Sequence, residues 1–182
     1  MSTDLLALRD SPFELLAALE RRLQTARVDL AAGSAQFWTG LGFRLGDHWL
    51  VTPREDVREV IVPPALTRVP GARPWLLGVA NVRGALLPVC DLRRLLGEEH
   101  HTMARGSRVL VYNSDRVPAG FLVDEVSGYR QFAPADQRPE LAEDSGSLKP
   151  YLLGGFVREG QSWLALSLHK VAAGDAFNRA GW

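Results

Sequence analysis

From Leu41 onward the apolar residues fall in short runs separated by glycine, asparagine, aspartate and proline, the pattern of an all-β domain. Phe43-Arg44-Leu45 and Trp49-Leu50-Val51, on either side of Gly46-Asp47, predict a hairpin with a two-residue turn. Val57 to Val62 is a β-branched run closed by Pro63-Pro64, and Val79 to Val82 and Leu86 to Val89 flank Arg83-Gly84 as another tight hairpin. Val109 to Tyr112 and Phe121 to Val123 bracket a turn around Asn113-Ser114-Asp115, and Trp163 to Leu166 is the last strong run. Ala133 to Lys149, rich in proline, serine and acidic residues, reads as a linker.

Ahead of this domain the period changes. Ser11-Pro12-Phe13-Glu14 supplies a hydroxyl N-cap, proline at the first helical position and glutamate at the third. Phe13, Leu16, Leu19, Leu23 and Val28 then recur at about helical spacing, with Glu20, Arg21, Arg22, Gln24 and Arg27 on the polar side and Gly33 as a stop. An isolated helix of this length is marginal in water, so its apolar face must dock on the body of the chain or on a partner. Residues 1–40 are therefore expected to be an N-terminal helical extension, 41–174 the β domain and 175–182 a C-terminal tail.

Sliding the chain against itself by about 76 positions exposes an internal repeat. Pro74-Trp75-Leu76-Leu77-Gly78 falls on Pro150-Tyr151-Leu152-Leu153-Gly154, Gly84 on Gly160, Asp91-Leu92 on Ser167-Leu168, and Arg94-Leu95 on Lys170-Val171. The shared grammar is an aromatic, two leucines, a glycine, a strand, a glycine turn, a second strand, then a small polar N-cap and a short helix. The expectation is a mainly β fold of two related lobes with a boundary near 98–108.

Charge narrows the partners. Lysine plus arginine and aspartate plus glutamate both number 21, so no global field draws the chain to nucleic acid or an anionic membrane. No stretch approaches the roughly 20 consecutive apolar residues that span a bilayer, and Met1 to Asp10 lacks the basic and apolar regions of a secretory signal. A cytoplasmic protein without direct membrane insertion is expected. The lone cysteine, Cys90, sits in the apolar stretch Leu86 to Leu92, where packing is its expected role.

The residues that carry chemistry are sparse. Of His48, His100, His101 and His169 only the middle two are adjacent, and no second pair has metal-ligand spacing. Ser167 and His169 lie two apart at a strand-to-helix junction, where a serine is expected as a cap. The acid pairs Glu55-Asp56 and Asp124-Glu125 flank strands, as solvated sheet edges do. No nucleophile elbow, Walker loop, zincin helix or dinucleotide fingerprint is present. An all-β enzyme with an unrecognised site remains one alternative. An OB-like nucleic-acid binder is the other, disfavoured because Arg58, Arg68, Arg73, Arg83, Arg93 and Arg94 are interspersed with apolar residues and balanced by acids.

Val57-Arg58-Glu59-Val60, then Arg68-Val69-Pro70, then the unbroken stretch from Gly78 to Leu92 resemble the central signature of CheW-like domains. Gly120 to Val126 resembles the second-lobe strand of that family and Tyr151 to Gly154 its late glycine motif, so the resemblance runs from about Leu41 to Ala173. Ser11-Pro12-Phe13, Trp38 to Phe43 and Ser167-Leu168-His169 resemble its PilI-like branch, which serves type IV pilus chemosensory arrays. The chain departs from many members at Leu166-Ser167, where they carry Leu-Asp.

The resemblance implies two small five-stranded, SH3-like β-barrels, no cofactor and no enzymatic turnover. It implies an adaptor that binds the tip of a methyl-accepting chemoreceptor and the CheW-like regulatory domain of a CheA-type histidine kinase, with twitching motility as output. Residue by residue, Val57, Glu59 and Arg83 match the family's interaction positions, and Val60, Asn81, Val82 and Gly84 surround them. An arginine beside a glycine turn presents a rigid fork to partner carboxylates or carbonyls. Pairing of Glu59 and Arg83 with one another is the purely structural alternative.

Overall fold

The computed structural model describes residues 37–98, 103–143 and 145–178. The expected helix from Pro12 to Ala32 and the His100-His101 loop lie outside the described residues. From Trp38 onward the chain forms ten strands: β1 (Trp38–Leu45), β2 (His48–Pro53), β3 (Val57–Ile61), β4 (Leu76–Val82), β5 (Ala85–Asp91), β6 (Arg108–Tyr112), β7 (Gly120–Val123), β8 (Glu125–Phe132), β9 (Leu152–Arg158) and β10 (Gln161–Leu166). Four short helices accompany them: α1 (Leu92–Leu95), α2 (Glu140–Glu143), α3 (Leu168–Ala173) and α4 (Asp175–Asn178). The expected hairpins are present, with Leu45 opposite His48 and Val82 opposite Ala85.

The strands make two five-stranded sheets, ordered β8-β1-β2-β10-β9 and β3-β6-β7-β5-β4. Each sheet is antiparallel except for one parallel contact, β2 with β10 in the first and β5 with β7 in the second. Chain just past the edge strand folds back on the far edge of each sheet, through single bridges from Thr67 to Val79 and from Gln137 to Phe156. These bridges curl each sheet toward a barrel, so that little unpaired edge is left to other chains.

Matching the two orders strand by strand shows the repeat in three dimensions. Gly78 and Gly154 have φ of 152° and 147°, and Gly84 and Gly160 have φ of 85° and 77°. Asp91 Oδ1 accepts the Arg94 N–H (3.3 Å) at the start of α1, as Ser167 Oγ accepts the Lys170 N–H (3.2 Å) at the start of α3. Even the incoming backbone bonds correspond, Asp91 N–H to Trp75 O (2.7 Å) and Ser167 N–H to Tyr151 O (3.0 Å).

The expected division into lobes needs correction. β1 to β5 belong to one repeat and β6 to β10 to the other, yet each sheet takes strands from both. The segment near 98–108 therefore separates two sequence repeats and not two lobes. Other boundaries move as well. β1 begins at Trp38, inside the expected extension, and the start of the expected tail is α4, whose Phe177 stacks on Trp75 (ring centroids 5.7 Å apart) and packs near Phe121. The expected linker from Ala133 holds α2 and two 3-10 turns, with Leu148 buried.

Three apolar layers follow from the pleat. On the central strands alternate residues point to opposite sides, and both sides are covered. Val109 and Val111 fill the second barrel while Leu110 and Tyr112 enter the layer between the sheets. Trp163 and Ala165 fill the first barrel while Leu164 and Leu166 enter that same middle layer. This is why the sequence shows unbroken apolar runs here and not strict alternation. Each large side chain fully buried in this way, such as Phe43 or Phe121, contributes roughly 1.5 to 3 kcal/mol.

The repeated glycines make a differential prediction. A Cβ at Gly78 would lie 2.6 Å from the Thr67 carbonyl oxygen, whereas one at Gly154 meets nothing within 4 Å, although both positions have positive φ. Gly154→Ala should cost about 1 kcal/mol from backbone strain alone, and Gly78→Ala should cost at least about 2 kcal/mol because it also disrupts the bridge to Thr67. Urea unfolding of the two variants checks the order, and equal losses would refute it.

Candidate functional site

Arg83 stands at the tip of the β4–β5 hairpin. Two residues turn the chain, and both adopt positive φ, 54° at Arg83 and 85° at Gly84, as a tight hairpin turn with the right-handed twist of its strands requires. Asn81 stabilises it locally, its Oδ1 accepting the Gly84 N–H at 2.9 Å. The Arg83 side chain remains 79% exposed, and its Nη2 lies 2.7 Å from Oε2 of Glu59, whose side chain is 22% exposed. The barrel thus brings β3 beside the hairpin tip, and Glu59 and Arg83 do pair.

A cleft of about 270 Å³ opens at this pair, walled by Glu59, Val82, Arg83, Leu86, Tyr112 and Pro118 among others. Its rim carries a second exposed pair, Arg58 Nη2 to Asp115 Oδ1 at 2.7 Å. Exposed ion pairs of this kind contribute little to stability, about 0 to 1 kcal/mol, so their side chains can be recruited by a partner at small cost. Val60 is exposed on β3, and Val82 is half-buried in the cleft wall. Val57 is different: it is 8% exposed and packs in the layer between the sheets, where it anchors β3 and offers no surface to a partner.

Leu86 is the residue that sequence reasoning passed over. It is 72% exposed beside the turn, yet within Gly84-Ala85-Leu86-Leu87-Pro88 it reads as one more residue of a strand core. A second, more apolar cleft of about 550 Å³ lies on the other side of Pro118, with Trp75, Val79, Cys90, Val117 and Phe177 in its lining. Arg116 also borders it, so the opening is apolar within and cationic at one point.

The groups considered for catalysis have structural partners. Ser167 Oγ lies 3.3 Å from Asp56 Oδ2 and caps α3, while His169 directs Nδ1 at the Tyr112 hydroxyl (2.8 Å). The His169 N–H also donates to Asp56 Oδ2 at 3.3 Å. Serine and histidine therefore do not bond to each other. Burial, with the charge of Asp56 adding to it, raises the Tyr112 phenol above its ordinary range and keeps it a neutral hydroxyl. Burial, then the charge of Asp91, pushes the Cys90 thiol up to about 12, away from nucleophilic thiolate. Among the described residues no three histidine, cysteine or acidic side chains cluster as a metal site would need, and no helix is long and apolar enough to cross a membrane.

Two interlocked β-barrels, with a cationic hairpin tip at a polar cleft and an apolar cleft beyond Pro118, make up the described domain. The comparisons with known proteins give the family. The CheW-like domain model matches residues 39–175. Protein PilI of Pseudomonas aeruginosa is 39% identical over 169 residues, covering 92% of this chain and 94% of its own. Protein FrzA of Myxococcus xanthus is 36% identical over 119 residues, 65% of this chain and 73% of its own. The crystal structure of the scaffolding protein TtCheW from Thermoanaerobacter tengcongensis shares the fold, with a TM-score of 0.67 at 20% identity over 78% of this chain and 96% of that one. This chain belongs to the CheW-like domain family of chemotaxis scaffolding adaptors.

Because Arg83 is exposed and its ion pair is at the surface, Arg83→Asp should shift stability by less than about 1 kcal/mol in urea unfolding; a larger loss would mean that the pair with Glu59 holds the barrel. Cys90 gives a pH dependence. Its folded value of about 12 lies above that of the unfolded chain, near 9. Its contribution to stability is therefore complete below pH 9 and is lost as pH rises toward 12. Between pH 9.5 and 11 the wild type should lose up to about 1.4 kcal/mol more per pH unit than Cys90→Ala. Parallel stability curves for the two would remove burial of the thiol as the cause.

Proposed function

We propose that this chain is a non-enzymatic, cytoplasmic chemosensory adaptor that couples a methyl-accepting chemoreceptor to a CheA-type histidine kinase and so controls type IV pilus twitching. The observation that carries the reading is Arg83, held out on a left-handed turn beside exposed Leu86 and paired with the half-buried carboxylate of Glu59. An exposed arginine on rigid backbone is the kind of group that anchors an interface. Glu59, Val60, Asn81, Val82 and Gly84 form the surrounding surface for the kinase's CheW-like domain, and Val57 supports it from beneath. The apolar cleft beside Trp75 and Val117 suits the buried face of an amphipathic receptor helix. The pilus output rests on the similarity to protein PilI along nearly the full length of both chains.

Titration of the purified chain with a receptor signalling tip and with a kinase regulatory domain tests this. Wild type should bind both. Arg83→Asp should weaken at least one of them tenfold or more, equivalent to at least about 1.4 kcal/mol, because charge reversal removes an anchor and adds repulsion. Normal binding of both partners by the variant would remove Arg83 from the interface. Failure of the wild type to bind either would end the adaptor reading.

A further inference from the structure

The mouth of the first barrel holds a third cleft, of about 500 Å³, between β8 and the β9–β10 turn. It is the repeat-related counterpart of the Arg83 cleft. Arg158-Glu159-Gly160 stand 76 positions after Val82-Arg83-Gly84, with φ of 53° and 77° at Glu159 and Gly160 against 54° and 85° in the other turn. Trp163 occupies the wall position that Leu87 holds there. The polarity is reversed: the second barrel sets a turn arginine against a wall carboxylate, whereas here the turn residue is Glu159 and the wall carries Arg130.

Two arginines sit over rings that line this opening. Arg130 places its guanidinium carbon 5.7 Å from the Trp163 ring centroid, and Arg54 places its own 5.6 Å from that of Tyr129. Arg158 donates Nη1–H to the Gln131 carbonyl and keeps Nε 3.5 Å from Glu159 Oε1. Neither Arg54 nor Arg130 is ion-paired with a described residue. Two arginines, Arg130 and Arg158, and one carboxylate, Glu159, thus line the opening in a chain whose net charge is zero. A guanidinium held over a ring loses little further freedom on binding, and its fork matches a carboxylate.

We propose that the cleft between Arg130 and Arg158 on the first barrel is a second docking site, and that its occupant is an acidic segment of a partner protein whose carboxylates are forked by these guanidiniums. Local charge complementarity selects that occupant. A nucleic-acid strand would need a longer basic track with exposed stacking rings, and here Trp163 is 8% exposed, with Arg130 over its ring and Glu159 at the rim.

The test uses the full chain and a fluorescein-labelled peptide with the core Glu-Glu-Leu-Asp-Glu, followed by anisotropy. Binding should weaken with added salt, fall at least tenfold in the Arg130→Ala, Arg158→Ala double variant, and stay unchanged in Arg83→Asp. The single variant Arg130→Lys keeps the charge but not the fork, and should lose at least threefold with an unchanged melting curve; it carries the test if the double variant fails to fold. Equal binding by wild type and Arg130→Lys, no binding of the peptide to wild type, or tighter binding of a single-stranded oligonucleotide of equal charge would each overturn the proposal. Because Arg83→Asp is the control, failure here is distinguishable from failure of the receptor and kinase reading.

Discussion

The central strands of the domain are buried on both faces over most of their length, and the layer trapped between the two sheets holds the interleaved repeats together. Leu50, Leu110, Phe121, Leu164 and Leu166 all enter that layer, and all are buried. They come from both repeats and both sheets, so neither barrel can form from one repeat alone. Truncating any one large side chain in such a layer typically costs about 2 to 5 kcal/mol. The clefts are outlying consequences of this layer: Val57 ties β3 to it and thereby sets Glu59 beside Arg83.

The pseudo-symmetry separates what the fold needs from what the surface does. Where backbone geometry is at stake the repeats agree, in the paired glycines and in the side-chain caps Asp91 and Ser167. The serine performs the capping that an aspartate would perform, so the change from Leu-Asp to Leu166-Ser167 leaves α3 capped while removing a charge. Where side chains face solvent the repeats diverge. Arg83 and Glu159 share a backbone conformation and differ in sign, so one scaffold presents two related turns of opposite charge.

Legibility in the sequence followed burial. The runs at Trp49, Val109, Phe121 and Trp163 announced their strands because they are packed tightly enough to exclude polar residues, and the Val57 run because its valines and isoleucine are interspersed with polar residues. β8 went unrecognised over most of its length because Ser127-Gly128-Tyr129-Arg130-Gln131 lies on an edge strand with one face in water, and a glycine at φ 87° breaks its pattern. The 76-residue offset revealed the repeats but could not reveal the interleaving, since identical strands pair equally well within a repeat or across repeats. At the site, Arg83-Gly84 was readable as a turn and Glu59 as its neighbour. The exposure of Leu86 and the burial of Val57 were not, because each sits in an apolar stretch whose inward face only tertiary pairing decides.

Burial of the central strands also explains why the charged, exposed residues of the proposed docking surfaces sit at hairpin tips. A residue in the middle of these sheets has no free face, being committed to a barrel core or to the layer between barrels. Among the described residues, surface for a partner is left at barrel mouths, rims and the flank beside α4. Short turns at these mouths are held by two buried strands each, so their side chains project from backbone that barely moves. Arg83 gains its rigidity from Ala80 and Leu87, buried in the barrel on the two strands below it, and not from its exposed pair with Glu59. A partner that takes the guanidinium away from Glu59 therefore meets a preorganised group and orders little on binding. The fold supplies position through its core, and recognition can change residue by residue at the tips without disturbing it.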